Sequence, residues 1–253
     1  MLRELPTEGG ARARRGRPRV VAAAAVVAAL VGVTGVGVAP IPIGIALVVV
    51  AAVGYLVSLR LVLSQSSWSI LGPALPPAAC LLGAMALLQT GPGWPWTWLI
   101  PVWVWLMLSA WPWLDERAAL GDLPAFESTV LSGLLVTLPV PYFVVALTPG
   151  LPAGLSALAV ATGCLVPGWR MVCLSGLGAR SAWERAAIVS SLMAVALVMV
   201  VRMQVASPLL LVAMVVGWYG LTGVASLRQR SELPSFAAYV ILAAAILAIS
   251  APA

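Results

Sequence analysis

Long apolar stretches, separated by short polar or Pro/Gly-rich interruptions, organise almost the whole chain. The first, residues 20–39, is a run of Ala, Val and Gly about 20 residues long, which at 1.5 Å per residue crosses the roughly 30 Å hydrocarbon core of a bilayer. A basic tail precedes it, as in a secretory signal peptide, but the length of the run and the Pro40 that follows read as an uncleaved first span. Pro40-Ile41-Pro42 then makes a tight turn, because proline removes a backbone donor and lipid tolerates only satisfied backbone. By the same pattern, further spans cover 43–61, 69–89, 98–114, 128–147, 151–169, 186–201, 208–227 and 235–249. The third carries Pro73, Pro76 and Pro77 near its start, which predicts a kinked or re-entrant beginning. The expected fold is all-α, a polytopic transmembrane helix bundle of about nine spans. Residues 1–19 are expected to form a disordered basic tail and residues 20–253 a single transmembrane domain.

Charge turns this thread into an orientation. All 14 basic residues are arginine, and the chain has no Lys, His or Asn. With the amino terminus in the cytoplasm, nine spans place Arg3, Arg12, Arg14, Arg15, Arg17, Arg19, Arg60, Arg117, Arg170, Arg180, Arg185, Arg228 and Arg230 on that side and only Arg202 outside. Basic residues are retained on the cytoplasmic side of membrane proteins, so the thread predicts a multi-pass cell-membrane protein with its carboxyl terminus outside. Composition agrees, since 62% of the residues are apolar and 9% are charged, against roughly 25% charged in a soluble domain. The bilayer is therefore the principal partner, and the net charge of +6 serves orientation and contact with anionic headgroups. Nucleic acid is not an expected partner, because no groove-reading or base-stacking surface lies outside the membrane.

Small residues suggest where helices approach. Ala24, Ala28 and Gly32 recur every four positions, and Gly217, Gly220 and Gly223 every three, so each set offers a flat stripe for ordinary bundle packing or for a dimer seam.

Candidate chemistry is sparse. Cys80, Cys164 and Cys173 stand far apart without a CxxC pair, and with no His and every acid in the tail or a loop, neither a metal site nor a cofactor is expected. The absence of mid-span acids argues against an ion-coupled carrier. Prenyl-transferring membrane enzymes need Asp-rich loops, but the loop around 60–68 has no acid and the loop 170–185 has only Glu184. A Ser/His membrane protease is excluded for want of His. The densest polar segment is Asp115-Glu116-Arg117-Ala118-Ala119-Leu120-Gly121-Asp122, expected to be a loop, where the seven-residue spacing could set Asp115 and Asp122 on one helical face. Seven of the eleven tryptophans fall between positions 94 and 113. Interfacial anchoring accounts for the ends of that segment but not for Trp103 and Trp105 near the middle of the fourth span.

Two functions follow from these residues. One is a non-catalytic scaffold or permease-type subunit that docks a cytoplasmic or membrane protein partner through its Arg-rich loops. The other is a small membrane enzyme acting on a lipid or isoprenoid, with Trp98, Trp103 and Trp105 lining the substrate pocket and Asp115, Glu116 and Asp122 as catalytic carboxylates at its mouth.

Overall fold

A computed structural model describes residues 8–35, 41–62, 71–89, 96–119, 124–202, 208–227 and 233–250. The expected turns around Pro40, 64–68, 91–95 and 203–207, together with Asp122 and the loop 228–232, lie outside the described residues. Among those described the secondary structure is entirely helical: α1 (Glu8–Gly35), α2 (Ile41–Val62), α3 (Leu71–Gln89), α4 (Trp96–Ala119), α5 (Ala125–Thr137), α6 (Val140–Ala146), α7 (Ala153–Leu174), α8 (Ala179–Arg202), α9 (Pro208–Ser226) and α10 (Leu233–Ser250). A helix satisfies its own backbone hydrogen bonds, which is what hydrocarbon demands of a crossing segment. Six stretches are long and apolar enough to cross a membrane: Arg17–Gly35, Pro42–Leu61, Ala125–Ala146, Ala153–Leu174, Ala179–Val200 and Leu209–Ser226. Two shorter apolar stretches, Ala74–Gln89 and Leu233–Ala248, accompany them. The protein is thus an all-α, multi-pass membrane-helix bundle with six such spans among the described residues.

Several local expectations change. α1 begins at Glu8, so the basic segment is helical from that residue. The expected loop at Asp115 is helix, because α4 runs on through Asp115, Glu116 and Arg117 to Ala119. Likewise α7 passes Arg170 to end at Leu174, and the loop expected over 170–185 shrinks to four residues, 175–178. Long basic side chains reach water from a helix end, so a charge need not end the helix. What ends α7 is Gly176, with φ 82° and its N–H donating to the Cys173 carbonyl at 2.9 Å, a left-handed glycine cap. The fifth apolar segment is broken after Thr137. Pro139 has no N–H for the Leu135 carbonyl, which takes the Leu138 N–H at 3.3 Å instead, and the Thr137 hydroxyl donates to the Leu134 carbonyl at 2.9 Å.

The chain divides into two compact units, residues 1–116 and 117–253. In the first, α1 is central. It buries Val20, Ala24, Val27, Ala28 and Val31 at helical spacing. Its carboxyl-terminal turns meet three neighbours, with Thr34 against Gly44 of α2, Gly35 against Leu88 of α3 and Gly32 against Pro101 of α4. Across α2 and α4, the buried Tyr55 hydroxyl donates to the Leu108 carbonyl at 2.8 Å.

The second unit has a core of Phe143, Val160, Cys164, Met193, Leu197, Met214 and Trp218, supplied by α6 to α9. The stripe Gly217, Gly220 and Gly223 on α9 receives α10 of the same chain, which assigns it to packing within the bundle. A Cβ on Gly220 would lie 2.9 Å from Tyr239 Cβ and 3.1 Å from the Phe236 carbonyl oxygen, both on α10, while Tyr219 meets Tyr239 edge-on at 5.3 Å. Gly220→Leu is accordingly expected to lower the stability of this unit by about 1–3 kcal/mol, the usual cost of overpacking, read as an earlier unfolding midpoint in detergent.

Candidate functional site

The α4 residues singled out from the sequence do not converge. Trp98 and Trp105 are 63% and 39% exposed, Trp103 is half-buried, and Trp105 stands ten residues from Asp115, about 15 Å along the helix. A wall of Trp98, Trp103 and Trp105 is therefore not set beside Asp115. Asp115 itself is only 2% exposed and is the one buried charged residue among those described, whereas Glu116 is half-buried. Asp115 shares a helical face with Trp111, one turn earlier, which is fully buried. Beside them, the exposed Arg17 guanidinium of α1 lies 5.5 Å from the centroid of the Trp113 ring, a cation–π contact. In the second unit Arg117 holds both oxygens of Glu127 through one nitrogen, at 2.6 and 2.7 Å, and joins the end of α4 to the first turn of α5.

A second polar group, not anticipated from the sequence, lies where α7, α8 and α9 meet. Arg185 Nη1 donates to the Ala225 carbonyl at 2.6 Å. That carbonyl belongs to the last turn of α9, where no helical N–H remains to take it, so the arginine caps the helix. The rings of Trp169 and Trp183 stack at 4.9 Å, one from α7 and one from α8. Deeper in, the buried Trp169 and Trp218 indole nitrogens and the Thr222 hydroxyl have no hydrogen-bond partner among the described residues. A signal existed in the sequence: Trp218 and Thr222 are polar-tipped residues four apart, and so on one face, of a largely apolar, glycine-striped helix.

Around the same ends of the helices the charges remain at the surface. Arg180 and Glu184 pair at 3.3 Å on α8 with side chains 95% and 63% exposed. Among the described residues no group of three His, Cys, Asp or Glu could hold a metal ion, and Cys80, Cys164 and Cys173 form no disulfide. No family model, no curated protein and no solved structure matches the chain. Fold and site together define a multi-pass membrane helical protein without an obvious metal- or disulfide-based catalytic centre among the described residues.

Proposed function

We propose that the chain crosses the membrane nine times with its amino terminus in the cytoplasm, and that it is a non-catalytic scaffold or permease-type subunit that docks a partner on its basic cytoplasmic face. The observation that carries this reading is the position of the described charges. Arg17 and Arg19 lie early in α1, Arg60 ends α2, Asp115 to Arg117 lie at the end of α4, Glu127 at the start of α5, Arg170 near the end of α7, and Arg180 to Arg185 at the start of α8. With α3, α4 and α10 counted as crossings and α5 with α6 as one, all of these helix ends fall on one side, and Arg202, the last residue of α8, is the one described arginine on the other. Docking then falls to the exposed Arg180–Glu184 turn rather than to Arg185, which is engaged in capping α9.

Two measurements test the proposal. In a variant with Cys80, Cys164 and Cys173 replaced by Ala, Gly178→Cys is expected to react with an impermeant maleimide only when the cytoplasmic face is opened, and Pro149→Cys to react in intact cells. Reversed labelling would reject the orientation. A photo-crosslinking residue at Arg180 is expected to yield one discrete protein adduct, and the same residue at the exposed Leu192 only lipid adducts. Lipid adducts alone at both positions would reject docking.

The burial of Asp115 favours a second reading, an enzyme acting on a lipid or isoprenoid with Asp115, Glu116 and Asp122 as its carboxylates. It requires Asp115→Asn to remain folded while losing activity.

A further inference from the structure

Helical hydroxyls in this protein return to their own backbone. Thr34, Ser58, Thr129, Thr162, Ser190 and Ser191 each donate to the carbonyl four residues earlier, at 2.7–3.0 Å. Thr222 departs from this habit. It is fully buried in α9, and its Oγ1 has no partner among the described residues. One turn earlier on the same face, the fully buried Trp218 also leaves its Nε1 without a partner. Both atoms turn toward α7 at Gly168, where a methyl group built on the glycine would stand 3.9 Å from Thr222 Oγ1, 3.9 Å from Trp218 Nε1 and 3.7 Å from Ala186 Cβ. The absent side chain thus brings two unpartnered polar atoms of α9 within 3.9 Å of one point beside α7, with Ala186 of α8 at 3.7 Å from the same point.

The chemistry of those atoms defines the occupant. An indole N–H only donates, and a threonine hydroxyl both donates and accepts. Burying either without a partner is unfavourable by an amount comparable to a whole hydrogen bond, so two on one small space call for an oxygen between them. The geometry points to a binding site for one buried water molecule over Gly168, accepting from Trp218 Nε1 and exchanging a hydrogen bond with Thr222 Oγ1. Thr222 is four residues from the end of α9, about 6 Å along its axis, where Arg185 caps the Ala225 carbonyl. The water would bridge two successive turns of α9 where they face α7, one residue beyond Pro167, whose missing N–H leaves α7 without one of its own backbone bonds. This site is independent of the docking reading.

The test turns on a sign. Gly168→Ala fits sterically, since its methyl would meet only ordinary contacts. If the space is dry, filling it and replacing glycine in a helix raises the melting temperature, and Thr222→Val, which removes an unpaired hydroxyl, raises it as well. If a water is bound, both substitutions lower it, and the double variant loses less than the sum of the two. The direct readout is the Trp218 indole proton, assigned by its disappearance in Trp218→Phe. We expect a downfield resonance with a water cross-peak, lost in Gly168→Ala and retained in Thr222→Ser. A rise in melting temperature for Gly168→Ala, or an indole proton with no water cross-peak, would overturn the proposal, as would a cross-peak to lipid acyl protons in its place.

Discussion

Alanine at position 163 is expected to destabilise the second unit by about 3 kcal/mol, at the upper end of the cost of overpacking, although alanine normally improves a helix by about 1 kcal/mol over glycine. The reason is the closeness of α6 to α7. A Cβ on Gly163 would lie 2.5 Å from both Cβ and Cγ of Tyr142. Those are the stem atoms of a buried side chain, so no rotamer change can clear them and the helices must separate. α6 has little freedom to retreat, being seven residues long and held between the Pro139 break and the turn at Thr148 to Leu151. Gly154 in the same helix and Gly133 in α5 provide the controls, because a Cβ at either meets nothing within 4 Å. Gly154→Ala and Gly133→Ala are expected to be neutral or to stabilise by up to about 1 kcal/mol. Unfolding in a denaturing detergent series measures all three, and equal midpoints for Gly163→Ala and Gly154→Ala would refute the tight contact.

Close approaches of this kind mark the boundary between what sequence discloses and what it withholds. The apolar stretches are legible because a membrane span has a minimum length and excludes charge. Their inner faces are not. In water, a helix shows its buried side as an apolar stripe, but in lipid both sides are apolar, and Val50 and Val53 on the outside of α2 read the same as the buried Val48. The tryptophans show the same limit: Trp98 is exposed and Trp111 fully buried within one helix, and nothing in their spacing separates them. Helix ends are obscured for another reason. Asp115 and Arg170 carry the polarity of loop residues, but a charged residue at the end of a helix can be accommodated without breaking it. Pro139 signals the break after Thr137, yet the apolar residues on both sides of it have the pattern of one continuous span. Gly163 and Gly168 sit in α7 among residues of the same character, and only the placement of Tyr142 and Thr222 distinguishes their roles.

Asp115 is where the two functional readings part most sharply, and its replacement by alanine is expected to destabilise the first unit by about 1–3 kcal/mol, the cost of leaving a buried polar partner unsatisfied. The residue is buried and engaged in a polar or electrostatic contact. Its position opposes the helix it belongs to, since a carboxylate in the last turns of α4 meets the negative end of the helix dipole. Helix formation therefore does not explain it, and the compensation must come from what surrounds it. Arg117, two residues on, has the favourable sign for a helix end and is bound to Glu127. Because that pair is partly exposed, Glu127→Ala is expected to cost no more than about 1 kcal/mol. A structural Asp115 makes Asp115→Ala and Asp115→Asn both lower the unfolding midpoint, with Glu116→Ala near neutral. A catalytic Asp115 predicts the opposite division, in which Asp115→Asn folds with an unchanged midpoint. Measuring the midpoints of Asp115→Asn and Glu116→Ala side by side decides between them before any substrate is known.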